Sequence, residues 1–369
     1  MEFIVNVGEF SNILEVIEKG LPLRSTIPVI NNIFLNVTGN TLSFSSTNLE
    51  TYIQADKDYD SSGEAKILLP PKIIELFRYF PSDEAIINID FESYQIDIKS
   101  GTSQFRLYGA DPKDYPVYRE DLSSNLRYSI KQPVLKDVLK KTIFAASSDE
   151  TRPAFNGIHF SFQDNTIVIT ASDTYRLVMQ TVQDDKWQFP ISTCLVPAKA
   201  MRELLRILSD VDRFVEFSLE DEHITFYLGN IIFSARLLQE KFPEVSGVIP
   251  KDYKTRVTVD RKSIEESVTR ATLLTEGKNQ AVTLSILDNR LEVKVSSQLG
   301  GMEENLSITK EGEDVKLLVN TRFILDFLKI ISNKEIYIDL HGDGSPLIFR
   351  LSDDSNYLYL VLPIKKLTD

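Results

Sequence analysis

A single cysteine, Cys194, rules out a disulfide within the chain and fits a reducing compartment. No apolar run approaches the roughly 20 residues needed to span a bilayer. The opening Met1-Glu-Phe-Ile-Val-Asn-Val alternates like a strand and lacks the basic start and apolar core of a secretory signal. A soluble, cytoplasmic protein with no membrane partner is expected. Histidine is scarce, and His159, His223 and His341 are too scattered to suggest a metal site or a triad. No phosphate-cradling glycine loop, His-Glu-x-x-His, paired-cysteine motif or nucleophile elbow occurs. Cys194 reads as a buried small apolar side chain, and the acidic runs Glu220-Asp-Glu and Glu311-Gly-Glu-Asp read as hairpin turns. A protein without catalytic residues, metal or cofactor is therefore expected. Glycine and proline are modest at 15 each in 369 residues, and 42% of the chain is hydrophobic, so disorder is not expected and two or three domains are.

Apolar residues three or four apart predict helices near Phe10–Gly20, Pro71–Phe80, Lys131–Ala146, Ala198–Leu208, Asp260–Thr275 and Asn320–Asn333. Most of the remainder reads as strand, as in Ile87-Asn-Ile-Asp-Phe, Ile167-Val-Ile-Thr-Ala and Ile336-Tyr-Ile-Asp-Leu. The order of segments recurs. Asn40-Thr-Leu-Ser-Phe, Asn165-Thr-Ile-Val-Ile and Asn289-Arg-Leu-Glu-Val each follow a first helix; Leu68-Leu-Pro-Pro-Lys, Leu195-Val-Pro-Ala-Lys and Leu317-Leu-Val-Asn-Thr each introduce a second. The fold class expected is α+β: three repeats, each of two helices on antiparallel sheets and each divisible into two similar halves. Boundaries near Asp121–Asn125 and Pro250–Tyr253 give domains 1–124, 125–251 and 252–369.

The net charge of −13 argues at first against a nucleic-acid partner. Its distribution reverses the argument, because the six helical windows carry a net +6 and the remainder therefore −19. Basic helices beside acidic strands suit a duplex gripped through its backbone. Lys and Arg as good helix formers on solvated faces would give the same pattern.

Local motifs carry a resemblance. Arg24-Ser-Thr-Ile-Pro-Val-Ile-Asn-Asn, Phe155-Asn-Gly, Ser172-Asp-Thr-Tyr-Arg-Leu, Lys241-Phe-Pro-Glu, Val248-Ile-Pro and Leu360-Val-Leu-Pro-Ile-Lys, in this order over the full length, resemble the bacterial DNA sliding clamp, the beta subunit of the replicative DNA polymerase III. The resemblance implies a head-to-tail homodimer closing a six-domain ring around double-stranded DNA, with no reaction of its own. Its partners would be the DNA polymerase III alpha subunit and other polymerases, the clamp loader, and repair proteins with clamp-binding peptides. It places Arg24, Lys72, Arg152 and Lys199 near DNA. It assigns a peptide-binding cleft to Phe155, Ser172, Thr174, Tyr175, Arg176, Leu177, Phe242, Pro243, Val248, Leu360, Leu362, Pro363 and Ile364, with Arg176 and the hydroxyls holding polar groups of the peptide. Thr174 stands where the family commonly has Gly, and Tyr175 where it commonly has His. For the dimer interface it implies Phe105 and Leu107 against Leu273 and Leu274, with Lys99 or Arg106 near Glu303 and Glu304. Without the resemblance, Leu360–Ile364 reads as a core strand.

Overall fold

The computed structural model describes residues 1–59, 63–117, 126–250, 252–275 and 280–365. All six helical windows contain a helix: α1 (Val7–Glu18), α2 (Lys72–Arg78), α3 (Gln132–Thr142), α4 (Ala198–Ile207), α5 (Arg261–Thr272) and α6 (Thr321–Leu328). Three begin at a side-chain cap. Asn6 accepts from the Glu9 N–H, Asp260 from Ser263 and Asn320 from Arg322, which satisfies donors that a helix start leaves open. The last window overran α6 by a turn, because buried Ile331 continues the apolar spacing after the helix has ended. Among the described residues no helix is long and apolar enough to cross a membrane.

The strands form four antiparallel sheets. One contains β1 (Glu2–Asn6), β6 (Glu84–Asp90), β7 (Gln95–Ser100) and β8 (Ser103–Tyr108), in that order. The second runs β5 (Glu64–Leu69), β2 (Ile33–Thr38), β3 (Thr41–Thr47), β4 (Thr51–Asp58), β16 (Ile231–Arg236), β15 (His223–Leu228), β14 (Phe214–Leu219) and β9 (Tyr128–Lys131). The third runs β13 (Phe189–Pro197), β10 (Gly157–Asp164), β11 (Thr166–Ser172), β12 (Arg176–Gln183), β25 (Tyr357–Val361), β24 (Leu347–Leu351), β23 (Glu335–Leu340), β17 (Thr255–Asp260) and β21 (Thr309–Gly312). The fourth runs β20 (Gly300–Ser307), β19 (Arg290–Ser297), β18 (Ala281–Leu287) and β22 (Val315–Asn320).

One plan generates all four. Each half-repeat supplies a strand, a helix and a three-stranded meander, and its first strand crosses into the sheet of the other half: β1 joins β6–β8, while β5 joins β2–β4. The threefold repeat is thus present, down to its halves. The chain leaving each repeat is also pinned in one way. The Ala110 N–H donates to the Leu68 carbonyl at 3.0 Å, Leu238 to Leu195 at 2.8 Å and Ile364 to Leu318 at 2.7 Å.

Compactness follows the sheets rather than the repeats. One unit comprises Met1–Leu135 with Arg202–Leu237, the other Lys136–Met201 with Leu238–Asp369, so the middle repeat contributes one four-stranded half to each. Backbone pairing of β4 with β16, and of β12 with β25, continues each sheet past a repeat boundary. The boundary expected at Asp121–Asn125 lies outside the described residues, as does Lys251 of the second.

Helices cover one face of these sheets. In the first unit Phe10 of α1 meets Phe44 of β3 and Phe77 of α2, with ring centroids 5.3 and 4.6 Å away. In the second, Phe327 of α6 packs on Phe349 and Tyr359 at 5.1 and 5.2 Å. Burial of side chains this size contributes about 1.5–3 kcal/mol each.

Candidate functional site

Where β12 pairs with β25, strand alternation sorts side chains onto two faces. Leu177, Leu358, Leu360 and the neighbouring Ile348 form a buried cluster on one face, partly covered by Met179, Val245 and Ile249. Apolar side chains rim it in the open: Val248 is 57% exposed, Leu362 39% and Ile364 40%. The Leu362 N–H donates to the Tyr175 carbonyl at 2.9 Å, which brings the chain end against the β11–β12 turn. Phe242 stacks on His159 (5.0 Å, 11°) and meets Phe155 edge-on at 6.0 Å, while Pro243 beside it is exposed. A buried apolar cluster with exposed apolar side chains beside it suits the anchors of an extended peptide. Leu360 and Val361 are core strand, as their apolar run implied, but Leu362, Pro363 and Ile364 have left it. Met179, Ile348 and Leu358 were missed; two-residue spacing from Leu177 and Leu360 was the available signal for Met179 and Leu358.

Arg176 lies on the opposite face. Its Nε donates to Asp173 at 2.9 Å, Nη1 donates to Asp326 at 2.7 Å, and its guanidinium sits 4.7 Å from the Phe323 ring centroid. Only 6% of the side chain is exposed. Burial works against the charge, yet Tyr359, Asp326 and Asp173 together hold its pKa above the ordinary value. A buried cation must be paired, and these partners pair it while tying β12 to α6.

The β11–β12 turn is built from side chains. Ser172 Oγ donates to the Arg176 carbonyl and accepts from the Thr174 N–H, and Asp173 Oδ1 accepts from the N–H groups of Tyr175 and Arg176. The Ser172 hydroxyl is therefore also occupied. Thr174 is left at φ +79°, where a β-branched residue is strained. Thr174→Gly is expected to raise unfolding free energy by about 0.5–1 kcal/mol, measured by urea denaturation; an unchanged or lower value would refute the strain.

Burial holds the His159 imidazole below its ordinary pKa, against a smaller upward pull from Glu244. The unfolded chain then binds the proton more readily, so stability falls as pH drops through the unfolded value of about 6.5. In the first repeat Phe34 occupies this position, stacked on Tyr115 at 5.0 Å and 16°. His159→Phe is expected to flatten the decline in melting temperature between pH 7 and 5; an identical slope in both proteins would contradict this.

Of the residues placed near DNA, Arg24 is exposed ahead of the Pro28–Asn31 turn, Lys199 is exposed in the first turn of α4, and Lys72 opens α2 in an ion pair with Glu75. The Arg152 Nη1 donates to Thr174 Oγ1 at 3.0 Å. At the expected interface, Phe105 and Leu107 are half-buried on β8, the outer strand of its sheet, and Leu273 is 75% exposed just after α5 with Leu274 half-buried. Arg106, Glu303 and Glu304 have partners inside the chain. Arg106 pairs with Asp97 at 2.7 Å, Glu303 with Lys294 at 2.7 Å, and Glu304 with Arg270 at 2.5 Å and Ser267 at 3.0 Å. Asp97–Arg106 and Lys294–Glu303 are direct cross-strand neighbours, the nearest partners an exposed strand offers. Cys194 is buried, its thiol pushed up to about 12 by burial, as a small apolar side chain.

Three family models match in succession: DNA polymerase III beta subunit, N-terminal domain, over residues 1–119; central domain over 129–244; C-terminal domain over 246–365. The beta sliding clamp of Halalkalibacterium halodurans is 32% identical, covering 99% of this chain and 100% of that protein. That of Staphylococcus epidermidis is 29% identical, covering 99% of each. The crystal structure of the DNA polymerase sliding clamp from Bacillus subtilis superposes with a TM-score of 0.93 at 25% identity over 99% of both chains. The Pseudomonas aeruginosa beta subunit shares the fold, with a TM-score of 0.93 at 24% identity over 99% of this chain and 100% of that one. The chain, with its three repeats, therefore belongs to the bacterial beta sliding clamp family, the DNA polymerase III beta subunit.

Proposed function

We propose that two copies of this chain, each organised as domains 1–124, 125–251 and 252–369, pair head to tail into a six-domain ring. The ring encircles double-stranded DNA in the cytoplasm and confers processivity without catalysing a reaction. Its cleft holds short peptides of the DNA polymerase III alpha subunit and other polymerases, the clamp loader and repair proteins. Enclosure replaces tight binding. Weak, sequence-independent phosphate contacts from Arg24, Lys72, Arg152 and Lys199 keep the ring free to slide.

The observation that carries this reading is a pair of complementary sheet edges. Within the chain, the strand set β5-β2-β3-β4 continues into β16, and β13-β10-β11-β12 continues into β25. The set ending in β20 and the set ending in β8 follow the same plan and, among the described residues, have no such continuation. Pairing β20 of one copy with β8 of another would complete the third junction and remove two open edges. Thr51 pairs with Ala235 and Arg176 with Val361. The same register sets Gly300 opposite Leu107 and Met302 opposite Phe105, with Leu273 and Leu274 supplied from the turn after α5. Light scattering tests this: a mass of two chains is expected, and a persistent monomer at micromolar concentration would overturn the ring.

A further inference from the structure

The junction of β4 with β16 repeats the geometry of the peptide cleft at β12 with β25. The turns match bond for bond: Thr47 Oγ1 donates to the Thr51 carbonyl and accepts from Leu49 N–H, and Asn48 Oδ1 accepts from Glu50 and Thr51. Leu49 sits at φ +73°, as Thr174 does at +79°. Arg236 N–H donates to the Glu50 carbonyl at 2.8 Å, as Leu362 does to Tyr175 at 2.9 Å. A cavity of about 150 Å³ opens there, bordered by Tyr52, Ser234 and Val117.

The paired registers allow residue-by-residue comparison of the two floors. Tyr52 pairs with Ser234 where Leu177 pairs with Leu360, and Gln54 pairs with Ile232 where Met179 pairs with Leu358. Thr225, opposite Ser234, takes the place of Ile348, opposite Leu360. Of these five floor positions only Ile232 remains aliphatic. The polar groups bind one another: Tyr52 Oη donates to Ser45 Oγ at 2.8 Å and Thr225 Oγ1 to Ser234 Oγ at 3.0 Å. At the rim, Glu50 and Arg236 replace Tyr175 and Leu362.

We infer that the β4–β16 junction is a second copy of the cleft whose polar floor and charged rim reject aliphatic anchors, so that Tyr52, Ser234, Glu50 and Arg236 confine peptide capture to the β12–β25 junction. An aliphatic anchor entering the second copy would desolvate hydroxyls and charges without replacing their hydrogen bonds. The inference rests on the cleft reading above and adds which side chains set specificity between two equivalent sites.

The test uses the intact dimer and an acetylated hexapeptide carrying Leu and Phe anchors. Calorimetry should find one site per chain, lost in Val248→Asp/Leu362→Asp. In that blocked protein, Tyr52→Leu/Ser234→Leu/Glu50→Tyr/Arg236→Leu should restore one site per chain, at no worse than about tenfold weaker affinity. A folded, dimeric graft that binds no peptide would overturn the inference. Photo-crosslinking on the unmodified protein gives an answer independent of the graft's folding: label confined to the β12–β25 cleft is expected, and label at Tyr52 or Val117 would overturn it. No binding by the unmodified chain at either junction would instead sink the cleft reading itself.

Discussion

Aspartates at the exposed rim of the cleft, Val248→Asp with Leu362→Asp, are expected to weaken peptide capture by roughly 100-fold or more while the fold stays intact. Both side chains are largely in solvent, at 57% and 39% exposure, so little folding energy rests on them. On peptide binding they would lose water together with the anchors they touch. Apolar contacts of this size contribute about 1.5–3 kcal/mol each, and a factor of ten in affinity is about 1.4 kcal/mol. A carboxylate at either place adds a desolvation penalty. Fluorescence anisotropy with a labelled peptide measures the loss, and thermal unfolding checks the fold. Retained affinity in a folded double variant would place peptide capture elsewhere.

Leu107→Asp with Leu273→Asp is expected to dissociate the dimer at micromolar concentration, by a rise in dissociation constant of roughly 1000-fold per interface. Leu107 is half-buried on an outer strand and Leu273 stands 75% exposed, so the isolated chain tolerates polar groups at both. In the paired state each would bring an unmatched charge into an apolar seam. Glu303→Gln is the informative control. Glu303 is already paired with Lys294 within the chain, and an exposed pair of this kind contributes about 0–1 kcal/mol, so the dimer should persist. Sedimentation of both variants separates an apolar seam from one held by salt bridges. Dissociation by Glu303→Gln with survival of the double aspartate variant would reverse that assignment.

What could be read from the sequence and what could not divide along physical lines. Helix positions and the threefold repeat were legible because they depend on local periodicity and on turn residues such as the Asn-Thr and Leu-x-Pro markers. The assignment of aliphatic residues to a cleft comes only from the resemblance, since Leu360 by itself reads as core and is 3% exposed. The fate of Arg176 was not legible. Its partner Asp326 lies 150 residues away, and only the pairing of β12 with β25 brings α6 beneath it. The same holds for Arg152, whose bond to Thr174 depends on the loop after α3 folding back toward the β11–β12 turn. The exchange of first strands between half-repeats also leaves no trace in composition, because β1 and β5 read alike whichever sheet receives them. The intrachain pairs at the sheet edges, Arg106 with Asp97 and Lys294 with Glu303, depend on cross-strand register and so could not be read from the sequence.

The proposed hold on DNA is topological: the protein stays on DNA because it surrounds it. Clamps loaded onto a nicked circular plasmid and passed over a sizing column measure this directly. Co-elution with the circle and release after a single restriction cut are the predicted results. Equal retention on circular and linear DNA would show ordinary surface binding and contradict the ring.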